Sequence, residues 1–366
     1  MGNPYFVIMN NRILVAPLNW GLGHATRCIP IIRALLKNGF CPVIASDGIA
    51  LELLRKEFPE LENLYLPSYQ IEYAKEGKFF KLKMIRDSPK MVKAIAKEKK
   101  LVKKIIRERN ISGIISDNRL GVYHKHVPSV FITHQLNVLT GSTSWLSSSV
   151  HRKFIRKFDQ CWVPDAEGKP NLSGKLGHLK NNSLPVRYIG PLSRLEKKET
   201  ELRYDLAIIL SGPEPQRTLL ENKLIREITG FRGSILFVRG EIEATQHVEK
   251  KDNLTVYNFM RSDELGHALN QSAMVLSRSG YTTIMDLAKL GKKAFFIPTP
   301  GQYEQEYLAR RLDKKGMVPH ATQKKFGIHM LTDIEKYKGL PYWSPHETDF
   351  TNLFDIFLSP TENKVL

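Results

Sequence analysis

Cysteine is scarce in this 366-residue sequence. Cys28, Cys41 and Cys161 are odd in number and widely separated, which argues against a disulfide framework and against a zinc site. Long apolar runs are missing as well: none approaches the roughly 18 residues that a membrane span requires. The N-terminus lacks the charged-then-apolar layout of a secretion signal, and Phe6 stands where a myristoylation motif needs Ser or Thr, so the cytoplasm is the expected location. Acids are few beside bases, 37 against 55, leaving a net charge of +18. That balance favours an anionic partner: nucleic acid, an acidic membrane surface or a phosphorylated substrate. No RNA-binding signature or interleaved aromatics accompany the basic residues, so nucleic acid is not expected.

What is present is alternation. Arg12 to Ala16 reads as a buried strand, followed by the loop Gly21 to Arg27 (GLGHATR) and a helix with Ile29, Ile32, Leu35 and Leu36 on one face, stopped by Gly39. Further strands are expected over 42–45, 113–115 and 129–132, with 161–164 as an edge strand and 186–189 closing the first half. The hydrophilic segment 194–203 is the best linker. The pattern then restarts, with strands expected over 205–210, 235–238, 254–257, 274–276 and 294–297. Strands and helices alternating twice over imply an α/β chain of two Rossmann-like parallel-sheet domains facing each other, residues 1–192 and 204–345, followed by a terminal helical segment, 346–366.

In open parallel sheets ligands bind beyond the carboxyl ends of the strands, where helix N-termini offer free N–H groups to an anion. Two stretches place polar residues there. The first is Gly21 to Arg27, where Gly21 and Gly23 follow one strand and Asp47 follows the next, as in a dinucleotide site; Thr26 occupies the place of the third glycine, which demotes a nicotinamide reading. The second runs from Ser277 to Ala309. Between them, Lys78 to Arg109 carries thirteen Lys or Arg against three acids, Asp87, Glu98 and Glu108. From Pro89 onward Met91, Val92, Ile95, Val102, Ile105 and Ile106 give this run amphipathic helical spacing.

The stretch from Ser277 to Ala309 reads Ser279-Gly280, Thr283, Asp286, Gly291, Pro298, then Glu304-Gln305. It resembles the nucleotide-sugar site of GT-B glycosyltransferases, particularly the group containing the lipid-linked peptidoglycan N-acetylglucosaminyltransferase. It departs from that pattern at Leu308-Ala309, where the family usually carries Asn-Ala. The resemblance implies a GT-B architecture with a cleft between the domains and a terminal helix, near 352–358, crossing back to the first. It also implies a metal-independent transfer from a nucleoside diphosphate sugar, with UDP the expected nucleotide and no cofactor. The acceptor would carry a hydroxyl and be lipid-linked or part of the cell envelope. The basic run at 78–109 could then hold the chain peripherally at the inner face of an anionic membrane.

Charge grows on the diphosphate as the glycosidic bond breaks, so such a site must supply N–H groups, hydroxyls and cations. The candidates are Ser211-Gly212, the helix start at Ser279, Gly280, Thr282 and Thr283, and a cation, Arg217 or Arg278. The resemblance assigns Asp286 to the ribose diol, Glu304 and Gln305 to sugar hydroxyls, and Phe259-Met260 to the uracil edge. His24 is the catalytic candidate, because an imidazole titrates near neutrality and can take a proton from a hydroxyl or a water; Gly23, Asp117 and His134 are acceptor-side candidates. GLGHATRC also resembles the Gly-x-Gly-His-x-x-Arg-Cys loop of UDP-sugar hydrolases of pseudaminic acid biosynthesis. A hydrolase and a non-catalytic nucleotide-sugar binder are therefore the rival readings.

Overall fold

The computed structural model describes residues 11–69, 80–139, 144–179, 184–212, 214–340 and 350–358. Lys78, Pro213 and the expected boundary at 345–346 lie outside the described residues. The chain forms two sheets. The first holds β1 (Arg12–Pro17), β2 (Cys41–Ser46), β3 (Asn63–Tyr65), β4 (Gly113–Asp117), β5 (Ser129–Ile132), β6 (Gln160–Val163) and β7 (Val186–Tyr188). Its order is β3-β2-β1-β4-β5-β6-β7, and every pairing is parallel. Side chains alternate across it as the pleat requires: Ile13 and Val15 pack with α1 (Gly23–Lys37), whereas Leu14 and Ala16 meet Val102 and Ile105 of α3 (Phe80–Arg109), the helix that follows α2 (Gly48–Glu57). A helix on each face explains why β1 is apolar from Ile13 onward rather than alternating.

The second sheet holds β8 (Tyr204–Ile209), β9 (Ile235–Val238), β10 (Val248–Lys251), β11 (Leu254–Tyr257), β12 (Ser272–Ser277) and β13 (Lys293–Phe296), in the order β10-β11-β9-β8-β12-β13. Of its helices, α5 (Gln216–Glu227) packs Leu220 and Leu224 on Leu206 and Ile208, and α7 (Tyr281–Leu290) covers the opposite face with Ile284 and Leu287. α7 stops at Gly291, whose φ of 64° is the left-handed conformation that closes a helix and that glycine adopts without a Cβ penalty. α4 (Ser144–Ile155), α6 (Ser262–Asn270) and α8 (Tyr303–Lys314) complete the body. The short helices α9 (Phe350–Leu353) and α10 (Asp355–Leu358) lie on the first domain. There Phe354 sits 5.6 Å from Phe40 and Phe357 6.3 Å from Trp162, ring centre to ring centre.

Several elements differ from the sequence expectation. β6 is interior, paired on both sides, and β7 is the edge. β10 was not expected: its four residues are exposed and three of them are charged, and only antiparallel pairing to β11 makes them a strand. α4 was also missed, and α3 begins at Phe80 and runs through Pro89. Val92 is 66% exposed, away from the packed face. Glu98, counted among the acids of the basic run, turns inward, where its carboxylate accepts from Arg119, the Tyr69 hydroxyl and the Gly121 N–H. Asp47, the dinucleotide-like acid, is held by Arg119 and Asn19.

Candidate active site

Strand order reverses direction between β1 and β4 in the first sheet and between β8 and β12 in the second. Open sheets form their ligand crevices at such points. The loops leaving these four strands face one another across a cleft of about 440 Å³. α1 packs against α7 beneath it. Contact is close: the Thr282 hydroxyl donates to the Gly23 carbonyl at 3.0 Å, and a Cβ at Gly23 would sit 3.2 Å from that hydroxyl oxygen. Glycine at 23 therefore permits the approach of the two domains.

The first-domain side centres on His24, in the first turn of α1. Its Nδ1 lies 2.7 Å from Oδ1 of Asp117 at the end of β4. Arg27, one turn along the same helix face, clamps both oxygens of Asp117 through Nε and Nη2 and reaches His134 Nδ1 with Nη1 at 2.8 Å. The fork is thus satisfied without His24, although its Nη2 also lies 2.8 Å from His24 Nδ1. An unprotonated Nδ1 would turn a lone pair on a carboxylate oxygen. The Nδ1–H tautomer donates to it instead, and leaves the Nε2 lone pair for chemistry. Burial lowers the pKa of His24 and Arg27 lowers it further, against the opposing pull of Asp117. Burial also works to raise Asp117, but Arg27 and His24 outweigh it and hold that carboxyl at about 2.

Across the cleft, Ser211 and Gly212 after β8, Gly280, Thr282 and Thr283 at the start of α7, and Asp286 one turn further all line the cavity, as do Met260, Glu304 and Gln305. Asp286 is buried, which raises its pKa, and it accepts a 2.7 Å hydrogen bond from the Ser193 hydroxyl. Gln305 accepts from the Thr299 N–H through Oε1, which leaves its Nε2 as a donor. Glu304 is engaged at both oxygens by the first domain, Oε1 with His134 Nε2 at 2.9 Å and Oε2 with the Gln135 amide.

Four expected residues do not line the cleft themselves. Arg217 faces Glu214, Glu221 and Glu241 rather than the cleft; three carboxylates consume the cation. Ser279 is fully buried, its hydroxyl donating to the Gln305 carbonyl. Asp117 is fully buried behind His24. Arg278, the other cation considered, is 1% exposed and spends its guanidinium on the carbonyls of Gln216, Ile297 and Pro298 and on Gln323. Sequence reading missed Arg27 and Tyr281, whose ring stacks on His134 with centroids 4.3 Å apart. It also missed Ser193 and Arg194, taken as the edge of a linker. For Arg27 the signal was its i+3 spacing from His24.

Comparison with known proteins agrees with the two-sheet α/β architecture. Residues 218–334 match the glycosyltransferase family 28 C-terminal domain. Over 315 residues the chain is 25% identical to the UDP-N-acetylglucosamine--N-acetylmuramyl-(pentapeptide) pyrophosphoryl-undecaprenol N-acetylglucosamine transferase of Haemophilus ducreyi, covering 82% of this chain and 81% of the relative. An uncharacterized glycosyltransferase of Methanopyrus kandleri is 21% identical over 305 residues, covering 78% and 85%. Among solved structures, Acinetobacter baumannii MurG superposes with a TM-score of 0.55 at 13% identity, over 95% of this chain and 99% of that one. The kitacinnamycin glycosyltransferase superposes with a TM-score of 0.59 at 12% identity, over 95% of each. The chain is a GT-B-fold glycosyltransferase similar to these pyrophosphoryl-undecaprenol N-acetylglucosamine transferases.

Proposed function

We propose that the chain transfers a sugar, with inversion, from a UDP-linked donor to the hydroxyl of an apolar, lipid-linked acceptor. The observation that carries this reading is the His24–Asp117 pair facing the N-terminus of α7 and Asp286 across the cleft. UDP would lie mainly on the second domain, its ribose diol on Asp286, its base near Met260, and its diphosphate at Gly280 to Thr283 and Ser211-Gly212. With Arg217 and Arg278 spent internally, the first-turn N–H groups and dipole of α7, with the hydroxyls of Thr283 and Ser211, are the stabilisers of the departing charge.

In the step itself the acceptor oxygen bonds to the anomeric carbon and His24 Nε2 takes its proton. The bond from that carbon to the β-phosphate oxygen breaks, and its electron pair leaves with UDP. A single displacement inverts the anomeric centre. Asp117 stabilises the imidazolium as it forms. The first-domain side of the cleft is lined by Leu18, Trp20, Tyr69, Met91, Leu139 and Phe154, an apolar surface that suits an organic acceptor better than water. The donor and acceptor that appear in the relatives' names, UDP-N-acetylglucosamine and a pyrophosphoryl-undecaprenol, have this chemistry.

Donor screening, with and without polyprenyl-pyrophosphoryl acceptors and followed by UDP release, tests the proposal. Release that depends on an acceptor hydroxyl is the expected outcome. Equal release from donor alone would make the chain a hydrolase, and no release with tight UDP binding would make it a binder.

A further inference from the structure

We infer that Arg27 and His134 are positioning residues that make the base of the proposed reaction depend on contact between the domains, with Glu304 supplying that contact from α8. The inference rests on His24 being the base. Of the five side chains involved, four belong to the first domain: His24 and Arg27 on α1, Asp117 at the end of β4 and His134 just beyond β5. Glu304 alone comes from the second.

The hydrogen-bond order runs from Glu304 inward. A carboxylate only accepts, so the 2.9 Å contact of Glu304 Oε1 with His134 Nε2 places the proton of that ring on Nε2. His134 Nδ1 then carries a lone pair, and Arg27 Nη1 donates to it at 2.8 Å. With one corner of the guanidinium fixed there, its Nε and Nη2 edge lies flat on both oxygens of Asp117. Asp117 so held accepts Nδ1–H of His24 at 2.7 Å, which turns the Nε2 lone pair to the cleft. Stacking on Tyr281, another second-domain residue, keeps the His134 ring in the plane this requires.

Without Glu304, Arg27 alone favours the Nε2–H form of His134, and the Nε2 proton loses its acceptor. A proton on Nδ1 would face the Arg27 N–H, donor against donor, and the fork would rotate off Asp117. The charged and titratable groups facing His24 are Asp117, Arg27 and His134; Cys28 lies behind, 3.7 Å from Asp117, and Glu304 one residue beyond. Both Glu304 oxygens are engaged across the cleft, so its carboxylate is a closing contact between α8 and the first domain.

Two measurements on the full chain test this. The first needs no substrate: long-range proton–nitrogen NMR of the histidine rings, assigned with His134→Gln and His24→Ala. The expected spectrum shows Nε2–H for His134 and Nδ1–H for His24 in the wild type, and mixed tautomers for His134 in Glu304→Ala. Unchanged tautomers in Glu304→Ala would overturn the inference. The second follows UDP release from UDP-N-acetylglucosamine in the presence of a polyprenyl-pyrophosphoryl acceptor across pH, with UDP affinity from calorimetry. Glu304→Ala and Arg27→Lys should each lower kcat by about 10- to 100-fold while donor KM and UDP affinity stay within about twofold. Glu304→Gln, whose amide oxygen still accepts from His134, should recover part of the loss.

A raised donor KM with kcat spared would make Glu304 a sugar ligand and overturn the relay. Should Arg27→Lys fail to fold, because Asp117 is buried beside it, the Glu304 variants at the cleft decide alone. A His24→Ala variant with wild-type turnover would remove the base assignment itself. An inactive His24→Ala beside a wild-type-like Glu304→Ala would remove only the relay.

Discussion

His24 is half-buried, and desolvation pushes its pKa below the ordinary histidine value, with Asp117 opposing that shift and Arg27 adding to it. A base acts in its neutral form, so activity should hold through neutrality and fall only as pH drops below about 6.5, the ordinary histidine value. A pH–rate profile declining well above that value would contradict this environment. Replacing His24 by Ala should cut turnover by about 10²–10⁴-fold with UDP affinity nearly unchanged, the usual range for a positioned base. If UDP affinity collapses with the rate, His24 is a phosphate ligand. At Asp286, already supported by the Ser193 hydroxyl, substitution by Ala should weaken UDP binding by about 1–3 kcal/mol, the cost of losing a charged hydrogen bond. Calorimetry showing unchanged affinity would withdraw the ribose assignment. Residue type and spacing made His24 and Asp286 legible as candidates. They could not show that Arg278 is consumed elsewhere, because its partners are distant in sequence, whereas two of the three carboxylates on Arg217, Glu214 and Glu221, are its near neighbours in the chain.

At the scale of elements, periodicity placed most strands, and its failures have physical causes. β10 has the composition of an exposed turn, and α3 passes through Pro89 despite the local cost of proline in a helix. The terminal pair α9 and α10 completes the first-domain core, with Phe357 reaching Trp162, Phe40 and the face of β4 where Gly113 leaves room. Phe357→Ala should therefore cost about 3–5 kcal/mol of first-domain stability, a typical value for emptying a buried aromatic site. A urea titration with an unmoved midpoint would show that these helices contribute nothing to that core.

For the molecule as a whole, much of the basic excess among the described residues is exposed. On α3, Lys90, Lys93, Lys97, Lys99, Lys100, Lys103, Lys104 and Arg107 are exposed, whereas Glu98 faces inward. No described helix is long and apolar enough to cross a membrane. If α3 brings the cleft to a lipid surface, each of these residues near the headgroups adds about 1 kcal/mol, screened over roughly 10 Å at 0.1 M salt. Sedimentation should then show binding to phosphatidylserine-containing vesicles that weakens as salt rises; equal binding to neutral vesicles at low salt would leave α3 as a solvated helix. The sequence alone determined the twofold alternation of strand and helix, the apolar strands that must be covered on both faces, and the glycine- and hydroxyl-rich loops at strand ends, because all of these are local in the chain. Only the tertiary structure decided the strand order that brings β1 beside β4 and β8 beside β12, and with it the meeting of His24, Asp117, His134 and Glu304. Those contacts join residues from 93 to 170 positions apart, and no period or propensity carries information over such distances.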